Sequence, residues 1–147
     1  MGSFGPSPDS WSIASVEATH FTTAVADGAI DIENLGSYPT PSVVVSQINI
    51  ASDENLAWDI SIWRSITGQP DSSPLDDLTI AFRVSFASSV GFQYGGSGPF
   101  FYSLASQAIR IPNSTGKGCF VGISPRGAGK SADPAGNVRV ELIGPVL

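Results

Sequence analysis

Large apolar and polar residues alternate one by one through much of this chain. From Leu78 to Ala87, the side chains Leu78, Ile80, Phe82, Val84 and Phe86 fall on one side of an extended backbone, and Thr79, Ala81, Arg83, Ser85 and Ala87 on the other. Only a period of two gathers the five large groups on one face, so the segment predicts a half-buried β-strand. Weaker copies of the pattern recur from end to end. Trp11–Val25 is rich in β-branched residues and predicts one long strand or two short ones, and the Asp27-Gly28 pair after it predicts a tight hairpin turn into Ala29–Glu33. Val43–Ile50, apolar on both faces at its start, reads as a central strand. Leu56–Arg64 reads as its antiparallel partner, with Trp58, Ile60 and Ile62 on one face and Asp59, Ser61 and Trp63 on the other. Phe100–Leu104, Gln107–Ile111, Cys119–Ile123 and Val138–Ile143 complete the set.

About eight to ten short strands punctuated by Gly, Pro, Ser and Asn predict an all-β fold, a single antiparallel β-sandwich. A jelly roll is the preferred topology and an immunoglobulin-like sandwich the second. Only Ser103–Ala108 has a helical composition, so helix should account for less than about 10% of the chain. Residues 1–10, with Pro6 and Pro8, read as an irregular N-terminal arm, and residues 11–147 as one β-sandwich domain. The Pro- and Ser-rich stretch Thr67–Asp77 reads as a surface loop.

Charge sharpens this picture. Charged residues make up 14% of the 147 positions, against about 25% in an average domain, and the net charge is −6. The seven Lys and Arg are scattered, which argues against a nucleic-acid partner, whose phosphates demand clustered cations. No apolar run reaches the ~18 residues of a membrane span, and Met1–Pro6 lacks the regions of a signal peptide. The single cysteine, Cys119, excludes an intrachain disulfide. A surface poor in Lys and Glu is cheap to desolvate, which suits burial against other subunits.

The candidate chemistry is thin. Gly127-Ala128-Gly129-Lys130-Ser131 ends like a phosphate-binding loop, but Ser124 stands where that loop needs glycine, and Asp133-Pro134 follows where it needs a helix. It therefore reads as a turn. His20 is the only histidine and reads as a surface or edge residue, while Cys119 reads as a small buried hydrophobe. No catalytic residue is assigned. Asp71, Asp76 and Asp77 form the densest carboxylate group, followed by Asp53-Glu54; the former are weak candidates for a structural calcium, but they lack a calcium-loop spacing and read first as a solvated loop, so no cofactor is expected. Asn113-Ser114-Thr115 matches the glycosylation sequon. Among the aromatics, Trp63 and Tyr94 are expected to be exposed and, with Arg83, to contact a partner or ligand.

These features predict a non-enzymatic structural subunit that contacts copies of itself or other subunits of an assembly. The leading reading is a viral or phage virion protein (capsid, decoration or tail-associated), located in a virion or extracellularly. A carbohydrate-binding β-sandwich module is the alternative.

Overall fold

A computed structural model describes residues 13–34, 42–64, 80–105, 109–112 and 119–145. The expected N-terminal arm, Trp11, the Asp71, Asp76 and Asp77 loop and the Asn113 sequon lie outside the described residues. Ten strands account for most of the rest: β1 (Ile13–Phe21), β2 (Asp31–Asn34), β3 (Ser42–Val45), β4 (Gln47–Ser52), β5 (Ala57–Arg64), β6 (Ile80–Phe86), β7 (Phe100–Leu104), β8 (Ile109–Pro112), β9 (Cys119–Arg126) and β10 (Val138–Pro145). Among the described residues there is no α-helix, only single 3-10 turns at Ser88–Val90 and Tyr94–Gly96.

All strand pairs are antiparallel. One four-stranded sheet runs β1-β10-β4-β7, a second runs β2-β9-β5-β6, and β3 pairs with β8 in a small third sheet. With β3 and β8 set aside, the pairings β1 with β10, β2 with β9, β4 with β7 and β5 with β6 nest inside one another. That nesting is a long hairpin wrapped over a barrel-like core, the jelly roll, and it excludes the immunoglobulin-like alternative.

Most strands lie where alternation puts them, but two pairings and one strand differ from expectation. The Asp27-Gly28 turn forms, with Gly28 at φ 77° and Ala29 N–H donating to Ala26 O at 2.9 Å, yet it closes no hairpin. Its loop instead bonds to the β9–β10 side of the molecule, through Gly28 N–H to Pro125 O and Val25 against Lys130, and carries the chain from one sheet to the other. β4 and β5 do not pair either. The short connection between them turns a corner, pinned by Ser52 Oγ to Glu54 O at 2.7 Å and Asp53 N–H to Asn137 O at 3.1 Å, so the two strands face each other across the core. The expected strand Val43–Ile50 is broken at Ser46, whose N–H and hydroxyl both donate to Ile143 O.

The core is the space between the two large sheets. Ile48 and Ile50 from β4, Val138, Val140 and Leu142 from β10, Trp58, Ile60 and Ile62 from β5, and Val121 and Ile123 from β9 are fully buried there. Each such side chain contributes roughly 1.5–3 kcal/mol by leaving water. Tyr102 enters the core from β7, its ring meeting Phe86 edge-on at 6.1 Å, and its hydroxyl proton is shared between Asn55 Oδ1 (2.6 Å) and Leu56 O (2.9 Å).

Candidate functional site

The outer face of the first sheet is built in rows set by strand register. Phe92, Phe101, Ala51, Arg139 and His20 are successive cross-strand partners, so their side chains share one face. The next row is Ser103, Asn49 and Glu141. Small Ala51 between two long neighbours leaves a trough of about 260 Å³ lined by both rows. The polar side chains there are tied together: Ser103 Oγ donates to Asn49 Oδ1 at 2.7 Å, Gln47 Nε2 donates to the same oxygen at 2.8 Å, and Arg139 pairs with Glu141 at 3.1 Å. Asn49 Nδ2 donates to Glu141 over a long 3.5 Å. The sequence reading overlooked this site, because its residues come from three strands, with Asn49 and Glu141 92 positions apart. Alternation does identify each of them as outward-facing.

Beside that trough, the β6–β7 connection carries an apolar shelf. Phe92 and Phe101 exchange both backbone hydrogen bonds, at 2.9 and 2.7 Å, which adds one residue pair to the open edge of β7. Val90 is 57% exposed, Phe92 56%, Tyr94 73% and Phe101 42%. Tyr94 sits edge-on against Phe92 with ring centres 4.9 Å apart. Tyr94 is thus exposed as its glycine-rich setting predicts, and it belongs to a cluster that single-residue reasoning missed. Phe92, Tyr94 and Phe101 lie together in water, with Val90 exposed in the same connection, and apolar groups so placed mark a surface suited to contact.

Trp63 requires a correction. It does point away from Ile60 and Ile62, but it is only 3% exposed. Alternation assigns a face, and here that face is covered. Gly122 on β9 leaves a hollow, and both the Trp63 indole and the Ile30 side chain press into it: a Cβ on Gly122 would stand 2.6 Å from the first and 2.8 Å from the second. Phe120, fully buried in the row beside it, extends this second apolar patch outside the sandwich core. Trp63 is therefore a packing residue.

Further along the same sheet surface the character is polar. Arg83 is exposed and its Nε donates to Ser61 Oγ at 3.3 Å, while Ser85 Oγ donates to Asp59, which pairs with Arg126 at 2.9 Å. Ser85 and Ala87, on the outward side of β6 with Arg83, are exposed in the single chain. Trp63, Tyr94 and Arg83 do not converge: Tyr94 stands on the shelf by the first sheet, and Arg83 and Trp63 lie on the outside of the second.

The Gly127–Ser131 turn holds its lysine inward. Lys130 is 3% exposed, and its ammonium donates to Thr23 O at 2.6 Å and Ser131 O at 3.0 Å. Burial pushes its pKa down, against the partial opposition of Glu54, Asp31 and Asp133. Bound to backbone carbonyls, it clamps the β1–β2 loop to the β9–β10 loop and is not presented to a phosphate. Glu54 accepts from Ser131 N–H at 3.1 Å in the same cluster. His20 is exposed, as its strand position suggested. Among the described residues, no three His, Cys, Asp or Glu side chains gather as a metal-binding group.

No family model matches the chain, and no curated protein matches it. Among solved structures it is similar to a chain in the X-ray structure of tomato aspermy virus, with a TM-score of 0.45 and 10% identity over 99% of this chain and 82% of that one.

Proposed function

We propose that this chain is a non-enzymatic structural subunit of a protein assembly, and specifically a virion component of the capsid, decoration or tail-associated kind. The observation that carries the reading is the exposed, edge-on pair of Phe92 and Tyr94, with exposed Val90 in the same connection, at one edge of a charge-poor jelly roll. Leaving that much contiguous apolar surface in water is unfavourable, and covering it with a neighbouring subunit removes the cost at little expense in charge desolvation. The jelly roll is a fold used by viral shells and also by lectins, so topology supports the virion reading only by analogy. Multi-angle light scattering on the purified chain is the test. A defined oligomer or shell at micromolar concentration is expected, reduced toward monomer by joint Val90→Ser and Tyr94→Ser substitution. A wild-type chain that stays monomeric, or an oligomer indifferent to both substitutions, overturns the reading.

A further inference from the structure

The trough on the outer face of the first sheet has a chemistry that subunit contact does not require. We propose that it binds a neutral saccharide, with one pyranose ring seated over Ala51 between Phe101 and Arg139. Those two residues stand two strand spacings apart, about 10 Å, and only the Ala51 methyl rises between them. That leaves room for a ring on the sheet surface. Phe101, 42% exposed, supplies an apolar face for the C–H side of the sugar.

The polar side of the trough selects the ligand class. Arg139 and Glu141 are paired with each other, so the site carries no net charge for an ionic ligand to neutralise. What remains is a set of unused donors and acceptors side by side: the N–H groups of Arg139 not spent on Glu141, the second N–H of the Asn49 amide, whose oxygen is already filled by Ser103 and Gln47, and the remaining lone pairs of the Glu141 carboxylate. Adjacent hydroxyls of a sugar each donate and accept, and they complement such an array in pairs. Asn49 and Ser103 are held in place by their mutual hydrogen bond and by Gln47, so little side-chain freedom is lost on binding. A purely apolar partner would strip water from those unused donors and acceptors without replacing it, at roughly 1–3 kcal/mol each.

The full chain, in whatever oligomeric state it adopts, is applied to an array of neutral, sulfated and sialylated glycans, and retained glycans are measured by titration calorimetry. Neutral glycans are expected to bind, and Phe101→Ala and Asn49→Ala each to weaken them about tenfold or more while still unfolding in one cooperative thermal transition. The Val90→Ser, Tyr94→Ser pair is expected to leave glycan affinity unchanged, so this inference and the assembly reading fail separately. Absence of any retained neutral glycan, a preference for charged ones, or equal binding by Phe101→Ala overturns the proposal. Should a variant unfold, hydrogen exchange on the wild type decides: glycan-induced protection at 49–51, 101–103 and 139–141 supports the site, and protection elsewhere or none overturns it.

Discussion

The Trp63 indole occupies the space that a side chain at position 122 would need, its nearest ring carbon 2.6 Å from where a Gly122 Cβ would stand. The contact lies outside the sandwich core, on the far surface of the second sheet, and it packs one side of an outward-pointing tryptophan that is only 3% exposed. Gly122→Ala is expected to destabilise the fold by about 1–3 kcal/mol through overpacking. Trp63→Ala should cost about 3–5 kcal/mol, as for a core aromatic. Chemical denaturation of both variants checks this. A Trp63→Ala variant as stable as wild type would mean the indole is not packed as described.

The buried Lys130 ammonium, held by the carbonyls of Thr23 and Ser131, makes stability depend on alkaline pH. Its folded pKa is lowered below the ordinary value of 10.5, so between the two the unfolded chain holds the extra proton. Stability therefore rises with pH across that window, and the charged side chain bears its full burial cost below it. In Lys130→Met this rise should be absent. Denaturation midpoints of the two proteins measured from neutral pH upward test the sign, since a wild-type curve that falls relative to the variant contradicts it.

Glu33 lies on the edge strand β2, two residues from Asp31 and on the same face. Desolvation, then repulsion from Asp31, raises its pKa above 4.5. A raised carboxyl contributes stability below 4.5 and loses it as pH climbs through the folded value. Glu33→Gln should accordingly raise stability slightly at pH 7, by less than about 1 kcal/mol for so exposed a group, and the thermal midpoint with it. The gain should vanish near pH 4 in parallel melts. A variant less stable than wild type at neutral pH would contradict the assignment.

Tyr102 is a core residue with a polar tip, and its hydroxyl satisfies Asn55 or Leu56 across the β4–β5 corner. Tyr102→Phe retains the ring contact with Phe86 and leaves those acceptors unpaired, for an expected loss of about 1–2 kcal/mol. Ile50→Ala, one strand away in the same layer, should cost about 2–5 kcal/mol by opening a cavity. The ratio of the two losses in urea melts separates hydroxyl from packing. A silent Tyr102→Phe would place the hydroxyl in water.

Local alternation was sufficient for the strands and for the faces they present. The series from Leu78 to Phe86 places Phe86 inward and Arg83 and Ser85 outward, and the structure agrees, because a pleated backbone sends neighbours to opposite sides whatever the fold. Glycine, proline and serine between such runs were likewise enough to predict a jelly-roll-like sandwich. Pairing was another matter. Asp27-Gly28 has the composition of a hairpin turn, yet β1 joins β10 from the far end of the chain and β2 joins β9, since core burial across two layers outweighs one local turn. The trough of Phe101, Ala51 and Arg139 depends on those distant pairings and has no local signal. Exposure was decided in three dimensions too: Trp63 and Tyr94 look alike as isolated outward aromatics, but only Trp63 finds a glycine hollow and an isoleucine to close over it. A sequence determines what each residue prefers to face; the tertiary structure determines what is there to be faced, because burial depends on groups remote in the chain that meet only when both sheets close.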